Sequence, residues 1–295
     1  MKKLIANYLV GAALLVLAST ASAREVDETI DAASDGHVDI INISGSIDVY
    51  GWSKNRVEVT GELGNRVEEL ILERDGDKIL VKVKVPRNNS NNISSDLTVR
   101  VPEDSSIDVS TVSADITSKD IKGEQVLHTV SGDLIAEPVE DDISAQTVSG
   151  DIDILGDGSD IDVEVNTVSG DITVIEVSGS IAAEVVSGEI LVRDGSFHRA
   201  TLNSVNGEID YQAGLRSDGK LSVETINGDV DVQFSGDVSA RFDIETFNGD
   251  ISNCFGPKAQ RTSKYTPGLE LSFTEGSGDG RVTITTLNGD IDMCN

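Results

Sequence analysis

A Thr-Val-Ser-Gly-Asp-Ile motif returns along this chain every 18 to 21 residues, and that period restricts the fold more than any other feature. Its turn residue falls at Ala114, Gly132, Gly150, Gly170, Gly188, Gly207, Gly228, Gly249 and Gly289. Self-similarity at a fixed period of this length marks a stacked architecture, in which each repeat is one coil and buries its apolar row only against its neighbours.

Counting from the turn glycine as zero, apolar residues recur at offsets −7, −5, −2, +2 and +4. Around Gly170 these are Val163, Val165, Val168, Ile172 and Val174; around Gly289 they are Val282, Ile284, Leu287, Ile291 and Met293. An earlier repeat about Gly45 follows the same rule with Val38, Ile40, Ile43, Ile47 and Val49, and only Ser118, Gln125 and Asn253 depart from it. Steps of two are strand periodicity. Breaks of phase between −5 and −2, and across the glycine, read as corners. The expected fold is therefore all-β: a single-chain parallel β-helix (β-solenoid) in which equivalent strands pair at about 4.8 Å per coil. Right-handed winding is expected, because parallel crossovers take that hand. The glycine is expected to supply a positive φ at the corner. Ala114 implies either a different bend in the first full coil or tolerated strain.

Residues 1–23 carry Lys2 and Lys3, an apolar run from Leu9 to Ala18 and Ala21-Ser22-Ala23, the layout of a signal peptide cleaved before Arg24. An uncleaved anchor is the alternative, but the run is shorter than the roughly 20 residues a span needs. No later segment is apolar enough to span a bilayer, so the mature protein is expected in the periplasm or at the cell surface. Residues 24–105 keep strand alternation but lose the period, with Pro86 and Pro102 ending two runs and an exposed loop over 88–92. They read as irregular β coils capping the N-terminal end, or alternatively as a separate small β domain. The regular solenoid occupies 106–295. An insertion at 255–281 is expected to fold over its C-terminal edge, which would otherwise stand open to pairing.

Cys254 and Cys294 each stand five residues after a turn glycine. If those coils are neighbours, the two lie one strand spacing apart, within reach of a disulfide. Two free thiols, or a further coil between them, are the alternatives.

Three rows are expected on the outside: the mostly Thr row at −3, the Ser-then-Asn row at −1, and an acidic row at +1. Stacked Asn side chains at Asn206, Asn227, Asn248 and Asn288 can bond along the axis. The acidic row is Asp115, Asp133, Asp151, Asp171, Glu189, Glu208, Asp229, Asp250 and Asp290. Its mutual repulsion calls for bonds from turn N–H groups, or for calcium bridging coils at Asp133, Asp151 and Asp171. No other cofactor is implied.

The formal charge is −29, and loss of Lys2 and Lys3 with the leader makes it two units more negative. Nucleic acid and anionic membranes are poor partners for such a surface, whereas cations and basic surfaces suit it. His37, His128 and His198 sit in different repeats without metal-ligand spacing. No catalytic residue is singled out, and the chain reads as a non-enzyme.

The Gly45-Ser46-Ile47-Asp48-Val49 segment with Gly51-Trp52, the Thr-Val-Ser-Gly-Asp series and the Asn-Gly-Asp series together resemble the bacterial "putative adhesin" family of exported β-solenoid proteins. The resemblance covers nearly all of the mature chain. It implies a cell-envelope protein with no established catalytic residues. The expected function is a scaffold that binds an envelope or extracellular ligand, protein or glycan; self-association as a structural element is the alternative.

Overall fold

The computed structural model describes residues 24–87, 92–265 and 267–295; the leader and most of the loop expected over 88–92 lie outside the described residues. Among the described residues there are strands and turns but no helix, and hydrogen-bonded neighbours connect every strand into one sheet. The period of the sequence becomes the register of that sheet. One inward column runs Val38, Ile107, Gln125, Ile143, Val163, Ile181, Ala200 and Leu221, each residue paired in parallel with the next. A second runs Ile47, Ile116, Leu134, Ile152, Ile172, Ile190, Ile209 and Val230. All of these side chains are buried, so the −7, −5, +2 and +4 rows form one continuous core.

The exceptions to the apolar pattern have local answers. Ser118 and Gln125, both fully buried, bond to one another, and Gln125 Nε2 also donates to the Ile121 carbonyl at 3.4 Å. Two polar side chains thus satisfy each other inside the core, where either alone would carry an unmet desolvation cost.

At both ends the coils stack out of chain order. The strand Lys78–Lys84 pairs with His37–Ile41, and Ser95–Pro102 pairs with Ser44–Trp52. The coil made from Lys78–Lys84 and Ser95–Pro102 therefore lies outside the coil made from 37–52, which itself contacts the Ala114 coil. Arg56–Leu63 and Glu69–Asp75 then cover this outer coil in antiparallel fashion, and Arg24–Asp31 pairs with Arg56–Leu63.

The C-terminal end repeats the device. The strand Gly280–Asn288 is parallel to Ile209–Asn227 on one side and to Ala240–Asn248 on the other. Likewise Ile291–Cys294 lies between Val230–Gln233 and Ile251–Asn253. The Gly289 coil is thus wedged between the Gly228 and Gly249 coils, although it comes last in the chain. The C-terminal edge that the insertion was expected to cover therefore belongs to the Gly249 coil, not to the Gly289 coil. From the insertion, Leu269–Thr274 runs antiparallel along that edge, and Gln260–Arg261 pairs with it in turn.

The end coil differs from the wedged one in its core side chains. The Gly289 coil offers aliphatic Val282, Ile284 and Ile291, whereas the Gly249 coil offers Phe242. Phe242 stacks on Phe273 of the covering strand with ring centroids 4.5 Å apart and also packs against Phe234 and Phe255. This aromatic cluster closes the end of the core. Asn253, the third exception to the apolar pattern, belongs to the same end coil. It bonds to the turn that follows, with Nδ2 donating to Pro257 O at 2.7 Å and Oδ1 accepting from Phe255 N at 3.0 Å. A polar residue fits there because no further coil buries it. Cys254 and Cys294 form a disulfide with Cα atoms 5.0 Å apart, joining the end coil to the wedged one.

At the corners the turn residues lie directly over one another. A β-carbon on Gly170 would overlap the carbonyl oxygen of Gly150, and one on Gly207 would overlap that of Gly188. Gly170 has φ +148°, while Gly207 has no such positive φ, so close approach of the stacked backbones is the requirement the two share. Ala114 escapes it by bending differently: Ser113–Ile121 passes through that position as unbroken strand, pairing with Ser44–Trp52 below.

Candidate functional site

The face before each corner is where structure and sequence part. The inward–outward alternation of side chains continues from −7 to −3, so −3 points inward and −2 outward, the reverse of the expected orientation. Thr111, Thr129, Thr147, Thr167, Val185, Ser204, Thr225, Thr246 and Thr286 are all buried. Six of these side chains, Thr111, Thr129, Thr147, Thr167, Thr246 and Thr286, make a hydrogen bond to a corner carbonyl that a valine cannot make. Thr129 donates to the Ala114 carbonyl at 3.2 Å, Thr147 to Gly132 at 3.3 Å, Thr167 to Gly150 at 3.2 Å and Thr246 to Gly289 at 3.0 Å. Each of these four hydroxyls satisfies a corner carbonyl in the neighbouring coil. Val185 has no hydroxyl, and those of Ser204 and Thr225 are buried without a partner.

The consequence lies on the outside. Val112, Val130, Val148, Val168, Val186, Val205, Ile226, Leu287 and Phe247 form a single exposed column, with exposures from 36% at Val205 to 47% at Val130 and Leu287. Single exposed apolar residues are ordinary on protein surfaces; an unbroken line of nine is not. Beside it lies a shallow groove of about 570 Å³. Val168, Val186 and Val205 form one wall, and Gln146, Asn166, Glu184 and Asn203 the other.

On the far side of the column stand the polar rows. Asn227 Nδ2 donates to Asn206 Oδ1 at 2.9 Å, Asn288 to Asn227 at 2.8 Å and Asn248 to Asn288 at 2.8 Å. This is a continuous amide ladder in the wedged coil order. The acidic row is held by backbone donors from the next coil. Asp133 N–H donates to Asp115 Oδ1 at 3.0 Å, Asp151 to Asp133 at 3.0 Å, Asp171 to Asp151 at 2.8 Å and Glu189 to Asp171 at 2.8 Å. One oxygen of each of these four Asp side chains is therefore occupied by an amide. Asp133, Asp151 and Asp171 stand one coil apart in a row, and among the described residues no group of three or more His, Cys, Asp or Glu side chains gathers as a metal site.

Crowding shifts several carboxyls further along. Burial, then the charges of Asp210 and Asp292, hold Asp231 above the usual carboxylate range. Burial, then Glu189, Asp229, Asp210 and Asp231, do the same to Glu208.

The coil stacking also brings together residues that the sequence keeps apart. His37 lies between Ser106, with Nδ1 to Oγ at 2.8 Å, and Asp39, with Nε2 to Oδ1 at 2.7 Å. The separation of 69 residues between His37 and Ser106 hid this from sequence reading. The arrangement has the residue types of a hydrolytic triad, but Asp39 also pairs with Lys78 at 2.7 Å, and the Ser106 N–H is committed to the Gly36 carbonyl. It lacks a free amide at the serine to stabilise an oxyanion. His198 bonds to Ser180, at 2.9 Å, on a separate part of the surface.

The sequence profile of the family described as Toastrack DUF4097 matches residues 51–293. No curated protein matches this chain. Among solved structures, a "putative adhesin" from Parabacteroides distasonis ATCC 8503 is similar at 11% identity and TM-score 0.45, over 92% of this chain and 98% of that one. A "putative lipid binding protein" from the same organism has 14% identity and TM-score 0.45, over 91% and 96%. A "putative cell adhesion protein" from Clostridium sporogenes ATCC 15579 has 10% identity and TM-score 0.25, over 92% and 99%. Likeness at this level assigns no activity.

Proposed function

The chain belongs to the Toastrack DUF4097 family, and from that premise we propose that it is a non-enzymatic, exported cell-envelope protein. It acts as a binding scaffold whose contact surface is the exposed column from Val112 to Phe247. The column carries this reading: the fold sends one row outward at −2, and at every step from Val112 to Phe247 that row is apolar. Threonine holds the inward place beside it, so the valines are not needed to fill the core. An exposed apolar line of this kind is the mark of a contact surface.

Export is supported by the leader-like first 23 residues and by a disulfide, which forms and persists in oxidising compartments. The strong negative charge opposes self-association along the column, because two copies would bring like charges together. The non-enzymatic reading is supported by the Ser106–His37–Asp39 group, which lacks the donor an acyl-transfer site requires.

The test is retention of envelope extract on immobilised mature protein, compared with a folded Val148→Ser/Val168→Ser/Val186→Ser variant. The reading expects retained components that the variant releases. Equal retention by both proteins overturns it.

A further inference from the structure

We propose, resting on the binding-face reading above, that the occupant of the column is a cationic amphipathic helix of a partner polypeptide. Its seat is the four middle coils, with corners at Gly132, Gly150, Gly170 and Gly188. The distribution of charge selects the partner. Between Lys122 and Arg193 the chain contains no lysine and no arginine. That stretch contributes Val130, Val148, Val168 and Val186 to the column. Three residues after each valine comes an acid: Asp133, Asp151, Asp171 and Glu189.

Among the described residues, no ion pair engages any member of this acidic row. Its backbone bonds come from neutral amides, which orient the carboxylates without cancelling their charge. The opposite flank adds Glu184 in the groove wall. An apolar line bordered on one side by a row of uncompensated acids, and on the other by amide side chains and Glu184, complements a helix with an apolar stripe and basic margins. The same field repels an anionic bilayer or nucleic acid.

Spacing favours a helix over a strand. The column advances about 4.8 Å per coil, and therefore about 14 Å from Val130 to Val186. Four apolar side chains one helical turn apart span about 16 Å. Four same-face residues of an extended strand span about 20 Å and lose step with the valines. The helix stays in contact along the whole seat, with Gln146, Asn166 and Glu184 available to its basic side chains.

The experiment titrates the full mature protein with a designed helix of about 18 residues carrying leucine on one face and lysine on the rest. Three other probes are run beside it: a twin with glutamate for lysine, a scrambled lysine–leucine peptide, and neutral phosphatidylcholine vesicles. The lysine helix is expected to bind and to weaken about tenfold when ionic strength rises from about 0.05 to about 0.3 M. Val148→Ser/Val168→Ser/Val186→Ser is expected to weaken it about tenfold or more, and Asp151→Asn/Asp171→Asn/Glu189→Gln several-fold. Leu155→Ser, exposed on the same middle coils but outside the column, leaves binding unchanged; circular dichroism and melting confirm that each variant is folded.

Equal binding of the glutamate twin or of the scrambled peptide overturns the partner class, as does failure of the lysine helix to bind. Column-dependent binding to vesicles overturns it in favour of a lipid surface. Insensitivity to both middle-coil variants overturns the seat. None of these outcomes removes the binding face itself, which stands or falls on the extract comparison above.

Discussion

The side-chain amide of Asn288 donates to Oδ1 of Asn227 at 2.8 Å across 61 residues of sequence. Asn248, much nearer to Asn227 in the chain, bonds to Asn288 instead. The ladder therefore records the true order of the coils, in which the last coil made is not the last in the stack. This arrangement places the C-terminal segment between two earlier coils, with parallel partners on both sides.

The first prediction concerns that wedged coil. Its Val282, Ile284 and Ile291 are fully buried, so their amides should exchange with solvent as slowly as those of inner coils, despite lying near the chain end. Hydrogen exchange in which Val282 and Ile284 open before Phe242 and Ile244 would contradict the order. Cys254→Ser/Cys294→Ser frees the loop that the disulfide closes and should cost up to about 4 kcal/mol in denaturant unfolding, with exchange rising first across 280–294.

Gly170 is held by the carbonyl of Gly150 and by its own φ of +148°. Gly170→Ala should cost about 2–3 kcal/mol, because neither backbone can yield without disturbing the coil beneath. Ala114→Gly, at the equivalent position in unbroken strand, should cost about 1 kcal/mol or less. Similar losses for the two in urea unfolding would show that stacking at the corner is not the controlling contact.

Val185 occupies a place where Thr167, its neighbour in the column, donates a hydroxyl to the corner carbonyl of Gly150. Val185→Thr supplies that donor at nearly constant volume and should add about 1 kcal/mol. Thr167→Val removes one, along with its 3.2 Å bond to Gly150, and should cost about 1–2 kcal/mol. Opposite signs in paired denaturant melts are the expected result; equal signs would remove the hydrogen-bond account of why threonine faces inward.

Asp231 and Glu208 have carboxyls held above their ordinary range by burial first and then by neighbouring acids. A raised carboxyl binds its proton more tightly folded than unfolded. Its unfavourable contribution is therefore present in full at neutral pH and is relieved as pH falls through the folded value toward the ordinary one. Stability should rise on acidification from pH 7 toward the upper edge of the carboxylate range. Asp231→Asn should raise Tm at pH 7 and flatten that rise. A variant that melts lower at pH 7 would refute the sign.

Much of this molecule was legible beforehand. The apolar pairs at −7/−5 and +2/+4 specify strands, and their period specifies which residues pair, because a sheet slipped by one residue would turn the whole row outward. The paired cysteines and the Asn ladder follow from the same numbering. The exposed column was not legible. Valine at −2 and threonine at −3 suggest a corner between −5 and −2, whereas the inward–outward alternation continues to −3 and the threonine takes the inside place. Hydrophobicity alone misjudges this pair, since the deciding interaction is a bond to a carbonyl one coil away. The coil order was equally hidden, although Asn253 in the Gly249 coil and the faultless apolar set of the Gly289 coil were its signs.

What the amino acids determine alone is the repeating unit: a side-chain alternation and a corner glycine are local properties, readable wherever they recur. Which coil lies beside which, and which side chain of two adjacent ones faces water, are settled only when the coils meet. Those choices depend on contacts between residues tens of positions apart, Thr246 on Gly289 and Phe242 on Phe273 among them. No local pattern encodes such contacts, because their energy exists only in the stacked state.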